Sequence, residues 1–116
     1  MKILLDCRFY GLENGGLGRY TINLLNNLGK FDNSNDYVVL LRKKYFDILN
    51  LSNNFKKVLV DIKPYSFLEQ IIIPFVILKE KPIFSHFLHF NAPILTPRPY
   101  VVTIHDMIMH KSKGLE

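Results

Sequence analysis

The sequence predicts an α/β domain in which an open parallel sheet of about five strands is covered by helices on both faces. Short apolar runs alternate with helical segments along the chain, and most of the runs are continuously apolar. Continuous apolar runs are typical of strands that are buried on both faces. Because strand–helix–strand crossovers are right-handed, the expected arrangement is Rossmann-like. The length of 116 residues, of which 48% are hydrophobic, suits one domain with its own core.

The first part of the chain predicts two strands joined by a loop and a helix. An apolar run at 2–6 predicts the first strand, and a glycine-rich loop over 7–18 follows it. Apolar residues at helical spacing predict a helix over 19–28, with Gly29 just past its C-terminus. The apolar run at 37–41 predicts the second strand.

The middle of the chain predicts a long helix. Ser66 followed by Glu69 has the spacing of a capping box, which opens a helix that runs to about Glu80. Pro74 is expected to bend this helix or break it in two. Before it we expect a short helix over 44–49 and a third strand over 57–62.

The last part predicts a fourth strand over 83–87 and a fifth over 100–104, joined by a proline-rich loop. The segment 107–116 is too short and polar to provide another helix and strand. We therefore expect one domain over 1–116 that has been cut from a longer parent.

Charge and cysteine content suggest an environment more than an activity. Fifteen Lys and Arg against ten Asp and Glu give a formal net charge of +5. Solvated ends of helices and strands account for these residues, and attraction to anionic lipid or a phosphate-bearing substrate stays open. Nucleic acid is not expected as a partner, since no motif for it is found. The single cysteine, Cys7, and the lack of a signal or membrane-length run predict a cytoplasmic location.

Candidate ligand-binding residues are those that follow strands, because ligands bind at the carboxyl ends of parallel strands near the switch in strand order. The segments that qualify are 7–18, 86–91 and 105–110. The run Gly15-Gly16-Leu17-Gly18 opens a helix, whose N-terminal amides and close backbone approach favour a phosphate or a sugar. A flexible connector is the alternative. A nicotinamide fingerprint is disfavoured because it would need a glycine in place of Thr21.

Two further positions carry candidate chemistry. His105 after the fifth strand suits sugar hydroxyls or proton transfer, with Asp106 orienting it or capping the next turn; a histidine bonded to nearby backbone is the alternative. The pair His86 and His89 does not predict a metal site, because a strand does not place residues three apart on one face. For Asp6, a functional and a turn-forming role are equally open.

Three stretches resemble members of glycosyltransferase family 4. The run DCR at 6–8, followed by GGLGRYT at 15–21, is similar to the opening of these enzymes. The run HFLHFNAP at 86–93 is similar to their His-Phe-Pro-His-Phe-Asn-x-Pro stretch, with Leu88 in place of proline. The run VTIHDMI at 102–108 is similar to a Val-Thr-Ile-His-Asp-Leu-Ile signature. The resemblance extends over 1–110.

The resemblance implies the N-terminal, acceptor-side half of a retaining enzyme with the two-domain GT-B fold. Its substrates would be a nucleoside-diphosphate sugar, commonly of mannose or glucose, and a glycan or lipid acceptor, with peripheral contact with the membrane. It implies no metal and no further cofactor. It makes His105 the catalytic residue. It also implies donor-proximal residues Gly15, Gly16, Leu17 and Gly18, and acceptor-side residues Arg19, Tyr20, His89, Asn91 and Asp106.

In this family a second domain holds most of the donor, so we expect little activity without that domain. The alternative is a non-catalytic binding module that kept the fold and self-associates through its exposed face. A nucleotide-binding regulator of Rossmann or receiver type is less favoured. A receiver domain needs clustered acidic residues after strand one, where only Asp6 is present, and a lysine after strand five.

Overall fold

The structure is a computed structural model that describes residues 1–62, 66–88, 92–93 and 95–103. Within these residues five parallel strands form one sheet in the order β3-β2-β1-β4-β5. The strands are β1 (Lys2–Asp6), β2 (Asp36–Leu41), β3 (Phe55–Leu59), β4 (Phe84–Phe87) and β5 (Tyr100–Val102). The helices are α1 (Gly15–Phe31), α2 (Lys43–Phe46) and α3 (Glu69–Glu80), with a 3-10 turn at Leu12–Asn14. The predicted α/β, Rossmann-like fold is confirmed.

Two cores lie on opposite faces of this sheet. One contains Leu25 of α1 and alternate residues of β1 and β2, such as Leu5 and Val39. The other contains Ile73 and Ile77 of α3 and the intervening strand residues, of which Leu4 and Val38 are examples. Since the central strands are covered on both faces, their runs have to be apolar at every position. Among the described residues, no helix is long and apolar enough to cross a membrane.

Helix α1 is longer at both ends than the spacing predicted. It begins at Gly15 rather than at 19 and ends at Phe31, so Gly29 lies inside the helix and its predicted place beyond the end is wrong. Gly18 is buried in the first turns because its Cα faces the carbonyl oxygen of Gly11, which a Cβ would overlap. Tertiary packing of the glycine-rich turn against the loop thus extends the helix into a segment whose intrinsic helix propensity is low.

Helix α3 begins without the predicted capping box. Leu68 holds the N-cap position, and the hydroxyl of Ser66 is buried without a hydrogen-bond partner among the described residues. The carboxylate of Glu69 turns instead towards Arg8 on the first strand's loop. The helix continues through Pro74 to Glu80, so of the two effects predicted for Pro74 a break into two helices does not occur.

The remaining boundaries differ by a few residues from the predicted ones. Strand β3 covers Phe55–Leu59 rather than 57–62, because it pairs along β2 from Tyr37↔Phe55 to Leu41↔Leu59. Helix α2 covers Lys43–Phe46 rather than 44–49, and β4 begins at Phe84. The predicted end of the fifth strand, Ile104, lies outside the described residues.

Candidate functional site

The three strands that precede the predicted ligand-binding segments are neighbours in the sheet. Strand β1 pairs with β4, and β4 pairs with β5. The register sets Asp6 beside Phe87 and Phe87 beside Val102 at the carboxyl ends. The pairing of β4 with β5 continues one residue past the strand end, because the Thr103 amide donates a hydrogen bond to the Phe87 carbonyl at 3.0 Å. The loops after β1, β4 and β5 therefore leave one edge of the sheet side by side.

Four of the predicted site residues lie outside the described ranges. They are His89, Asn91, His105 and Asp106. Arg19 and Tyr20, by contrast, are described on α1. Arg19 is exposed, whereas Tyr20 is half-buried and packs against the first core.

The predicted glycine segment divides into an exposed and a packed half. Gly15 and Gly16 are exposed, and a Cβ on either would meet no described atom within 4 Å. Gly15 has a φ of 65°, in the left-handed region that favours glycine. Leu17 packs against the first core and Gly18 is buried against Gly11. Accessible backbone is thus presented by Gly15 and Gly16, while Leu17 and Gly18 hold the helix in place.

The N-terminus of α1 has the electrostatics of an anion site. Asn14 holds the N-cap position, but its side-chain amide donates to the carbonyls of Phe9 at 2.9 Å and Tyr10 at 3.2 Å. No side chain among the described residues caps the helix, and its first turn contains no acidic residue. The partial positive charge of a seventeen-residue helix therefore faces solvent beside two exposed glycines.

A buried ionic cluster lies directly behind this edge and was not predicted. Arg8 donates to Asp6 from Nε at 2.8 Å and from Nη2 at 2.7 Å, and Nη2 also lies 2.7 Å from Glu69 Oε1. All three side chains are fully buried. Burial lowers the pKa of the Arg8 guanidinium, but the hydrogen bonds with Asp6 and Glu69 outweigh it and leave that pKa raised. Asp6, for which a functional and a turn-forming role were left open, takes part through Arg8 in an ionic cluster that ties β1 to α3.

A pocket of about 240 Å³ opens at the carboxyl ends of β1, β2 and β3. Arg8 forms part of its floor, and we call the pocket and its outer walls the rim pocket. Its walls are Phe9, Tyr10, Glu13, Asn14, Arg42, Lys44, Tyr45 and Asp61. Ligand-binding segments were predicted after strands one, four and five but not after β2 and β3. The basic run at 42–44 directly after the second strand was the available signal.

The walls of the rim pocket are linked by hydrogen bonds. Arg42 Nε lies 3.0 Å from Asp61 Oδ1, and the Tyr45 hydroxyl donates to Glu13 at 2.6 Å. That hydrogen bond lowers the pKa of Glu13 and raises the pKa of Tyr45. Lys44 Nζ lies 3.4 Å from Glu13. These hydrogen bonds therefore hold the carboxylates of Glu13 and Asp61 in place as acceptors.

His86 of β4 contacts the residue that follows β5. Its Nε2 lies 2.6 Å from Thr103 Oγ1, and burial lowers the pKa of the imidazole. The metal pair considered with His89 lies partly outside the described residues. Among those that are described, no three His, Cys, Asp or Glu side chains form a group that could hold a metal ion.

The fold and the edge define a Rossmann-like α/β domain in which a helix N-terminus without a side-chain cap lies after the first strand. Comparisons of the chain with models of protein families, with curated proteins and with solved structures found no match.

Proposed function

We propose that this chain is the acceptor-side domain of a retaining hexosyltransferase that uses a nucleoside-diphosphate sugar. The observation that carries the proposal is the register at the carboxyl edge, where Asp6, Phe87 and Val102 are neighbours. The three stretches that resemble glycosyltransferase family 4 begin at these three strand ends. Motifs that are far apart in the chain are thus supported as parts of one site.

In this proposal the exposed amides of Gly15 and Gly16 at the start of α1 lie against the donor diphosphate. The helix N-terminus stabilises the charge of that diphosphate, which grows as the sugar leaves. His105 lies beside the transferred sugar, and the acceptor side is formed by Arg19, Tyr20, His89, Asn91 and Asp106. The acceptor is a glycan or a lipid at a membrane surface, and the reaction uses no metal and no other cofactor.

Transfer also requires a domain that holds the nucleoside. Because donor and acceptor have to be fixed in one geometry, the isolated domain is expected to bind donor weakly without transferring it. Transfer of labelled hexose should appear when a donor-binding domain is supplied, and His105→Ala should abolish it. An active His105→Ala variant would contradict the role of this histidine.

The anion site can be tested on the chain by itself with Gly16→Asp. The added carboxylate meets open space and favours the helix N-terminus, so the variant should fold at least as stably as the parent. It should weaken binding of GDP-mannose and UDP-glucose by about tenfold, read from NMR shifts of the amides at 15–18. Asn26→Asp, with the same charge change on the exposed middle of α1, is the matched control.

Two results would contradict the anion site. One is a wild-type chain whose amides at 15–18 do not shift with millimolar nucleotide sugar. The other is an equal loss of affinity in Gly16→Asp and Asn26→Asp, which would indicate attraction to net charge alone.

One observation favours a second candidate, the non-catalytic interaction module. Ile71, Phe75 and Leu78 follow one another at helical spacing on α3 and are 55%, 64% and 63% exposed. An apolar stripe of this kind is typical of a surface that docks on another protein. Self-association should then appear in sedimentation over a concentration series and be lost in Phe75→Lys. A monomer at all concentrations would contradict this candidate.

A further inference from the structure

The lining of the rim pocket contains none of the residues 15–18, although it includes Asn14, which directly precedes them. It is formed by the loop after β1, by residues at the start of α2 after β2, and by Asp61 after β3. The sheet order sets these three strand ends next to one another, with β1 also adjacent to β4. At about 240 Å³ it is smaller than the cavities that hold drug-sized ligands, so it suits a ligand of one ring.

The charges of the rim pocket balance within its walls. Arg42 pairs with Asp61 at 3.0 Å, and Lys44 approaches Glu13 at 3.4 Å. Arg8, in the floor, is engaged by two buried carboxylates. Two cations and two carboxylates leave no excess positive charge for a phosphate. A neutral ligand that both donates and accepts hydrogen bonds is favoured instead.

The arrangement of donors and acceptors fits adjacent hydroxyl groups. In each pair a carboxylate that accepts lies beside a cation that donates, so one ligand hydroxyl can donate while its neighbour accepts. Charged partners make such hydrogen bonds stronger than neutral ones. The carboxylate of Glu13 is 46% exposed and that of Asp61 is 49% exposed, so both can be reached from solvent.

Two tyrosine rings provide an apolar wall next to these groups. The ring centroids of Tyr10 and Tyr45 lie 4.9 Å apart at an interplanar angle of 60°. Both rings are partly exposed. A tilted pair offers a corner rather than a flat slot, so a puckered ring with C–H faces fits better than a planar base.

From this geometry we infer that the rim pocket binds a neutral monosaccharide unit through vicinal hydroxyls at Glu13 and Asp61 and a ring face at Tyr10 and Tyr45. This inference does not rest on transfer activity. Should the proposed transferase function hold, the pocket gives a glycan acceptor an additional contact beyond the sugar that reacts.

The test is a titration of the full chain with glucose, mannose, galactose and N-acetylglucosamine at millimolar concentrations, followed by NMR amide shifts. At least one sugar should shift amides at 9–14, 42–45 and 61. Glu13→Gln should weaken that binding by about tenfold, because it replaces a charged acceptor with a neutral one. Asp47→Asn is the matched control, since Asp47 pairs with Lys43 on α2 outside the pocket walls.

Each outcome bears on the inference separately from the transferase proposal. Absence of shifts with all four sugars, in a chain that is folded, would overturn it. Shifts of these amides with uridine or adenosine but not with sugars would replace it with a nucleoside site. Equal weakening by Glu13→Gln and Asp47→Asn would also overturn it. The anion site at 15–18 is read with nucleotide sugars and Gly16→Asp, so either proposal can fail alone.

Discussion

The carboxyl edge of the sheet contains two regions built from the same residue types with different burial. The inner layer consists of Asp6, Arg8, Gly18 and Glu69, all buried. The outer rim consists of Glu13, Gly16, Arg42 and Asp61, which are exposed or half-exposed. Each region contains an arginine, two carboxylates and a glycine.

The difference between the two regions shows that burial decides what a residue type contributes. Loss of one partner from a buried ion pair is strongly destabilising because it leaves a charge buried without a counter-ion. An exposed ion pair contributes little to the free energy of unfolding. Exposed groups can in turn exchange their partners for a ligand without leaving a charge buried. The inner layer is therefore expected to govern stability and the outer rim to govern binding.

The largest expected contrast lies between the two arginines. Arg8→Met removes the guanidinium shared by Asp6 and Glu69 and should lower the free energy of unfolding by roughly 3–5 kcal/mol. Arg42→Met removes an exposed pair with Asp61 and should cost a small fraction of that. Urea unfolding of both variants measures the difference. Equal losses of stability in the two variants would contradict the claim that burial decides what each arginine contributes.

A second contrast lies between the two glycines. Gly18→Ala places a Cβ against the Gly11 carbonyl and should lower the free energy of unfolding by about 1–3 kcal/mol. Gly16→Ala meets open space and should raise it by about 0.5–1 kcal/mol, since alanine loses less backbone entropy in a helix. The midpoint of thermal unfolding should therefore fall in Gly18→Ala and rise in Gly16→Ala. A shift in the same direction would show that the first turn of α1 is not packed as described.

The smallest expected effect is a pH dependence at His86, which is half-buried and lies between the two extremes. Burial lowers its pKa below the ordinary 6.5, so the unfolded chain binds this proton more readily than the folded one. The stabilising contribution of neutral His86 to the free energy of unfolding is then present above about pH 6.5, and it is lost as the pH falls through the lowered pKa. Urea unfolding of the wild type and His86→Gln at neutral and mildly acidic pH measures this. A wild type that is stabilised relative to the variant by acid would contradict it.

Much of the fold could be predicted from local pattern, whereas the inner layer could not. The continuous apolar runs at 2–6 and 37–41 predicted central strands because a strand covered on both faces has to be apolar throughout. The spacing of Ser66 and Glu69 predicted a cap, yet the carboxylate of Glu69 bonds Arg8, sixty-one residues away in the chain. A capping hydrogen bond contributes only a modest net free energy. Neutralising the buried guanidinium of Arg8 contributes more, so Glu69 pairs with Arg8 instead of capping the helix.

The fold class and the number of described strands along the chain could be predicted from the sequence, because they depend on period and composition within short windows. The tertiary structure was needed to establish which strands are neighbours, and hence that the segments after β1, β4 and β5 share one edge. It also decided that the loops after β1, β2 and β3 enclose a pocket. Contacts of this kind depend on how the chain crosses over between strands and on which side chains become buried. The spacing of residues along the chain does not predict either of these.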